Sequence, residues 1–308
     1  MAKPRVVCLL GATGTGKTEA AIALAAALDG EVVNVDSRQV YAGVPILTAQ
    51  PSAAEREACP HHLYGDTPLD LAVAAGDFAV RARAAAAAIL ARGRLPLFVG
   101  GTGLYFRAIL GGLAPIPAIA PEVRAAVVAD WERLGPAAMH AALVRVDPAY
   151  AARIAPTDRQ RVTRALEVER ATGRPFSDWH KQGDPNAPDY DAAMIGLALP
   201  PEELVPRLAR RIEAMVAAGA VEEVRQALAR YPADVPGLTG IGGPELVAYL
   251  AAARNLKETK EVWLSNTRAY AKRQMTWFRK EPGVVWLSPG DHAGVLAAVT
   301  RHVTEQGA

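Results

Sequence analysis

The sequence predicts an α/β protein, with a parallel sheet core flanked by helices and an all-helical insert. Three observations carry this. Short apolar runs at Val6–Leu10, Val32–Val35, Leu95–Val99 and Met194–Leu199 read as strands buried on both faces. Helical stretches separate them, as parallel pairing requires. Residues from about 121 to 180 have helical periodicity and no strand run, and Pro115, Pro117 and Pro121 punctuate the entry. The expected organisation is core over 1–115, insert over 116–190, and core completion with basic C-terminal helices over 191–308.

Element by element, Val6–Leu10 runs at once into Gly11-Ala12-Thr13-Gly14-Thr15-Gly16-Lys17-Thr18, and an Ala/Leu-rich helix follows to about Leu28, ended by Asp29-Gly30. The second strand delivers Asp36 at its C-terminal end. Pro51 to about Asp70 reads as loop with a short helix at most. A helix over Asp77–Ala91, closed by Gly93, precedes the third strand, which ends in Gly100-Gly101-Thr102-Gly103. Gly183–Pro188 reads as a linker. After Pro200-Pro201 the chain is mostly helical, with a late strand at Val284–Leu287.

Composition narrows the function. Of 308 residues, 51% are hydrophobic and 21% charged, enough to bury a core and too apolar for a disordered chain. Lys+Arg at 34 against Asp+Glu at 32 gives a net charge of +2, so any nucleic-acid surface must be local. Two cysteines, Cys8 and Cys59, exclude a disulfide scaffold and a Cys-rich zinc site. The apolar run after Arg5 is too short for a signal peptide, and no stretch approaches a membrane span. A soluble, cytoplasmic chain without membrane association is expected.

Gly11-x-x-x-x-Gly16-Lys17-Thr18 matches the phosphate-binding P-loop at every defined position, in the required strand–loop–helix setting. Gly11, Ala12, Thr13, Gly14, Thr15 and Gly16 would turn backbone N–H groups onto a diphosphate at a helix N-terminus. Lys17 would neutralise phosphate oxygens. Thr18 would hold Mg²⁺, with Asp36 as a second candidate ligand. Such a loop is a nucleotide-binding and ATP-binding signature, but it does not say which phosphate. Asp36 reads as a metal ligand, a general base or a turn carboxylate. The third strand ends in Gly-Gly-Thr with no carboxylate, so the loop can hold a diphosphate without hydrolysing a nucleotide. Thr102 is placed to touch substrate or to cap a helix.

Basic charge gathers locally. Arg254–Lys280 holds eight basic and two acidic residues, interleaved with Trp263, Tyr270, Trp277 and Phe278. In the insert, Arg159, Arg161 and Arg164 cluster. Such surfaces suit RNA phosphates and stacked bases, or are solvated faces. Arg207 and Arg211, four apart, could reach one anion or pair with nearby glutamates. His61-His62 reads as structural, because neighbours in an extended segment point to opposite sides.

These pieces together resemble one family, the bacterial tRNA dimethylallyltransferases. The resemblance rests on Gly11–Thr18, Asp36–Tyr41, Thr48–Pro51, Pro60–Leu63, Gly100–Phe106, Asp147-Pro148 with Ala151–Ile154, Asp158–Arg161 with Arg164–Glu167, and Thr267-Arg268 with Ala271–Gln274 and Thr276-Trp277. They run in family order over nearly the whole chain. The resemblance implies a P-loop NTPase-like core and transfer of a dimethylallyl group from dimethylallyl diphosphate to N6 of the adenosine 3′-adjacent to the anticodon, in tRNAs reading U-starting codons. It implies Asp36, Thr102, Lys17 and Arg211 as catalytic, with Arg211 also reaching the diphosphate. The implied tRNA contacts are Asp36, Ser37, Arg38 and Gln39, with Thr102 and Arg124. They continue through Gln160, Arg161, Val162, Thr163 and Arg164 to Thr267, Arg268, Lys272, Arg273 and Gln274. The partners it implies are the tRNA anticodon stem-loop and the allylic diphosphate, with Mg²⁺ as cofactor and a monomeric chain. Gln50 stands where the family usually has Lys, and Thr239, Gly243 and Pro244 stand where it has side chains that contact RNA. A small-molecule P-loop kinase and an adenylate isopentenyltransferase are the competing enzymes. A non-catalytic RNA-binding module is the third alternative.

Overall fold

A computed structural model describes residues 3–184 and 187–304. The apolar runs do form strands: β1 Arg5–Gly11, β2 Gly30–Asn34, β3 His61–His62, β4 Leu95–Gly100, β5 Asp191–Leu197 and β6 Val285–Leu287. They make one sheet in the order β3-β2-β4-β1-β5-β6, with every pairing parallel. Alternate residues explain why the strands are apolar throughout. Val7 and Leu9 join Val32, Leu97 and Ile195 in a core against helices Lys17–Leu28 and His292–Thr304. Val6, Cys8 and Leu10 point the other way and are equally buried. Helix Ala75–Ala91 packs on β2 and β4.

Several boundaries differ from expectation. Residues 51–70 contain helix Ala53–Ala58 and also the edge strand β3, which no apolar run announces. Gly30 opens β2, leaving Asp29 alone, at φ +49°, to end the preceding helix. Strand β5 starts three residues before Met194 and stops at Leu197. Of the expected linker Gly183–Pro188, Pro185 and Asn186 lie outside the described residues.

The chain divides into two compact units, Met1–Leu110 with Asp189–Ala308, and Gly111–Pro188. The second is helical. Helix Pro121–Val146 is kinked at Gly135-Pro136 and packs against Arg159–Thr172 around Val127, Trp131, Leu143 and Leu166. Asp147 ties it locally, accepting Tyr150 N–H through one oxygen and Ser177 N–H through the other. Among the described residues no helix is long and apolar enough to cross a membrane.

Candidate active site

The C-terminal ends of β1, β2 and β4 share one edge of the sheet, and the chain segments leaving them border a cavity of about 400 Å³. From β1 comes the P-loop. Gly14 and Gly16 sit at φ +84° and +78°, a region open to glycine, and Gly16 caps the 12-residue helix Lys17–Leu28. The first N–H groups of such a helix have no acceptor within it, so its start presents donors toward an anion. Lys17 Nζ donates to Gly11 O (3.0 Å) and Ala12 O (2.8 Å), curling the ammonium back over the loop. Burial lowers the Lys17 amine to about 8, against Asp36, which raises it, while Arg211 adds to the lowering. Thr13, Gly14, Gly16, Lys17 and Thr18 all face the cavity.

From β2 comes Asp36, braced by Asn34, which accepts Asp36 N–H (2.8 Å) and donates to Asp36 O (3.1 Å) and Leu63 O (2.9 Å). One Asp36 oxygen accepts Arg38 N–H at 2.8 Å. The carboxylate borders the same cavity as the P-loop. Helix Pro201–Ala217 adds Arg211, whose guanidinium is lowered by burial and sustained by Asp36 and Glu55.

Strand β4 contributes space. A Cβ on Gly100 would stand 2.1 Å from Val35 O, and one on Gly101 would stand 2.2 Å from Gln274 Nε2. Thr102 follows, and its backbone carbonyl starts helix Gly103–Gly111. Its hydroxyl accepts Ser37 N–H (3.0 Å) and lies 3.3 Å from Ser37 Oγ. It ties the Asp36 loop to the segment leaving β4 rather than capping its own helix.

Not every expected site residue reaches the cavity. Arg38, Gln39, Thr267 and Arg273 do. Arg211 does so without Arg207, which stays exposed, so the two do not act on one anion. Arg268 and Lys272 are exposed on the long helix, and Arg124, Gln160 and Arg161 on the second unit. Three expected RNA contacts have buried side chains. Val162 is in the second unit's core. The Thr163 hydroxyl donates to Arg159 O (2.8 Å). Gln274 is held inside the first unit by two hydrogen bonds. His61 and His62 do point to different partners, His61 Nδ1 to Cys59 O (2.8 Å) and His62 Nε2 to Glu31 (2.6 Å). Gln50 donates to Tyr41 O at 2.7 Å, closing its own loop. At Gly243 a Cβ would lie 2.0 Å from Leu238 O, so a large side chain there requires a different loop path.

The apolar half of the cavity was missed. Leu47, Leu208, Ile212 and Met215 form an aliphatic wall, and Tyr64 and Trp263 add rings. The spacing of 208, 212 and 215 around Arg211 on one helix was the available signal. Glu223 holds Leu47 in place, accepting Ile46 and Leu47 N–H at 2.8 Å each.

A phosphate cradle, a carboxylate two strands away and an apolar wall on one cavity define a P-loop protein built for group transfer from an anionic, partly apolar donor. Comparison with known proteins is specific. The IPP transferase family profile matches residues 39–281, and an isopentenyl transferase profile matches 4–68. A tRNA dimethylallyltransferase of Desulfovibrio desulfuricans is 52% identical over 95% of this chain and 91% of its own. One from Nitratidesulfovibrio vulgaris is 50% identical over 96% of each. The crystal structure of a tRNA isopentenylpyrophosphate transferase from Bacillus halodurans superposes with TM-score 0.71 at 33% identity, covering 99% and 100% of the two chains. A eukaryotic dimethylallyltransferase acting on tRNA gives 0.79 at 27%, covering 98% and 78%. The chain belongs to the IPP transferase family, whose members transfer prenyl groups, and its core is P-loop NTPase-like.

Proposed function

We propose that this chain transfers the dimethylallyl group of dimethylallyl diphosphate to N6 of the adenosine 3′-adjacent to the anticodon, in tRNAs reading U-starting codons. The observation that carries this reading is the opening of the P-loop, Arg211 and Asp36 onto one cavity with an aliphatic wall. The P-loop N–H groups, Lys17 and Arg211 bind the diphosphate and stabilise it as it departs. Leu47, Ile212 and Met215 accommodate the five-carbon tail and exclude water. The adenine leaves its stack to enter the cavity, where Tyr64 and Tyr270 offer ring faces. As the C1–O bond breaks and the C1–N6 bond forms, Asp36 accepts the N6 proton, a contribution of about 10²–10⁴ in rate. Thr102 positions the Asp36 loop through Ser37.

The donor set suits Mg²⁺. Among the described residues no three His, Cys, Asp or Glu side chains gather to hold a metal alone. The Thr18 hydroxyl at a phosphate loop is the kind of single protein ligand that Mg²⁺ shares with phosphate oxygens and waters. An ion held by Thr18 would offset charge on the leaving group, and Asp36 is the carboxylate bordering the same cavity that would serve as a further ligand. Exposed Arg124, Gln160, Arg161 and partly exposed Arg164 of the insert, with Arg268, Lys272 and Arg273 of the long helix, supply the tRNA contacts. The chain works as a monomer in the cytoplasm, where tRNA is modified.

The test is incubation of the purified chain with radiolabelled dimethylallyl diphosphate, tRNA and Mg²⁺, followed by mass spectrometry of the nucleosides. Dimethylallyl-adenosine from tRNA, absent without Mg²⁺, is expected. Label on AMP but not on tRNA assigns the free-nucleotide reaction instead.

A further inference from the structure

Helix Leu256–Phe278 carries two kinds of surface. Arg268 and Lys272 face solvent, while Ala271, Gln274 and Phe278 are buried. Gln274 sits beside the basic residues in sequence, yet it is 5% exposed and both ends of its amide are engaged. Its Oε1 accepts the N–H of Thr13, inside the P-loop, at 3.0 Å. Its Nε2 donates to Gly101 O, in the segment leaving β4, at 2.9 Å. Gly101 fits this arrangement, since any Cβ there would collide with that nitrogen.

The neighbours on the helix grip the same segment. Tyr270, one turn earlier, lies beside Thr102. Trp277, one turn later, lies so close to Gly103 that a Cβ would meet its ring at 2.2 Å. Residues 270, 274 and 277 form one stripe, i, i+4 and i+7, against Gly101, Thr102 and Gly103. Of the three, Gln274 alone continues across to the P-loop. That loop contains three glycines within six residues, a sequence with large conformational freedom when nothing external fixes it.

We propose that Gln274 is a positioning residue for the phosphate loop: its side-chain amide clamps Thr13 to Gly101 so that diphosphate meets a preformed cradle, and it makes no contact with RNA. This rests on the reading that the loop binds the donor's diphosphate. Preorganisation of this kind shows as affinity, because an unclamped loop must be ordered on binding. Losing these hydrogen bonds leaves buried groups unpaired and the loop unclamped, so a weakening of about tenfold is expected.

The test uses inorganic pyrophosphate with Mg²⁺, titrated calorimetrically into the full chain, and an anticodon stem-loop RNA followed by fluorescence anisotropy across a salt series. Gln274→Met keeps the volume and removes both hydrogen bonds. The expected result is a pyrophosphate Kd raised about tenfold, with RNA affinity and its salt slope within about twofold of wild type. Gln274→Glu provides the second arm and carries the test if the Met variant melts below assay temperature. Its protonated carboxyl can accept from Thr13 and donate to Gly101 as the amide does, so its deficit relative to wild type should shrink as pH falls from 8 to 5.5. An unchanged pyrophosphate Kd in Gln274→Met overturns the proposal, as does a pyrophosphate deficit of Gln274→Glu that ignores pH. A selective loss of RNA binding also overturns it, returning Gln274 to the RNA surface. Failure of the wild-type chain to bind pyrophosphate defeats the diphosphate reading itself, and the proposal with it.

Discussion

Titrating the P-loop lysine tests the site's electrostatics in a way that needs no RNA. The Lys17 amine is lowered from 10.5 to about 8 in the unliganded protein, because burial disfavours its charge more than Asp36 supports it. A diphosphate beside it reverses that balance and restores a value of about 10.5 or above. Binding above pH 8 must therefore take up a proton. Affinity should fall about tenfold per pH unit from 8 to about 10.5, roughly 3 kcal/mol across the window, and Lys17 should leave the affinity flat below it. Stability of the unliganded chain moves the other way. Between pH 8 and 10.5 the unfolded lysine holds a proton that the native one has released, so Lys17 makes stability rise with pH there. The assay is pyrophosphate calorimetry on wild type and Lys17→Arg from pH 7 to 10. Arginine stays charged throughout, so the ratio of the two affinities cancels pyrophosphate's own ionisation. A ratio that stays constant across the window would refute the argument, whatever the absolute affinities.

Four further outcomes follow from the same geometry. Asp36→Asn should slow single-turnover prenyl transfer by about 10²–10⁴ while stem-loop affinity is unchanged; rapid-quench rates within threefold of wild type would remove Asp36 from proton transfer. Gly100→Ala places a Cβ 2.1 Å from Val35 O, where backbone must move, and should cost about 1–3 kcal/mol in urea unfolding. Burial pushes the Glu31 carboxyl up, but hydrogen bonds from Arg92, His62 and Arg94 outweigh it and hold it at about 2. Its stabilisation is present above pH 4.5 and lost as pH falls toward 2, roughly 3 kcal/mol that Glu31→Gln should not show in acid-unfolding curves. Arg161→Gln and Arg273→Gln should each reduce the salt slope of tRNA binding by about one unit for every phosphate the arginine neutralises, read by anisotropy.

What the sequence discloses here follows the range of the interactions. Strands β1, β2, β4 and β5 are legible because each is covered on both faces, which forces a continuous apolar run. Strand β3 is two histidines whose membership depends on pairing with Val32 and Val33, far earlier in the chain, so nothing local announces it. The P-loop is legible because its backbone conformation is encoded residue by residue. The role of Gln274 is not, since its partners lie 261 and 173 positions away and its neighbours in sequence are basic. Arg207 and Arg211 look equivalent by spacing. Only the packing of Leu208 and Ile212, 1% and 4% exposed, sets the helix rotation that turns one to the cavity and leaves the other in solvent. The aliphatic wall was hidden for a related reason, because a buried Met or Leu has the same sequence pattern whether it faces a core or a ligand.

The strand order explains why this P-loop serves transfer. β4 lies between β1 and β2, so the strand that leads into the cradle and the strand that delivers Asp36 are two spacings apart, about 10 Å between backbones. The intervening strand ends at Gly100, with Gly101 next; a Cβ at these positions would meet Val35 O or Gln274 Nε2, and the Asp36 carboxylate lies 3.5 Å from the place of a Gly101 Cβ. A carboxylate at that place would sit beside the phosphates, where metal and attacking water are held in a hydrolase. Here the carboxylate comes instead from the strand beyond, so the anion-binding groups and the proton acceptor reach the cavity from different strands. That arrangement suits a reaction in which separate groups take the leaving group and the nucleophile's proton. Inserting a carboxylate at Gly101 should therefore not convert the site to a nucleotidase. Gly101→Asp would displace Gln274, and the expected outcome is loss of pyrophosphate binding with no gain in ATP hydrolysis, measured by phosphate release. Measurable ATPase activity in that variant would show that the strand from which the carboxylate comes is not what directs the chemistry.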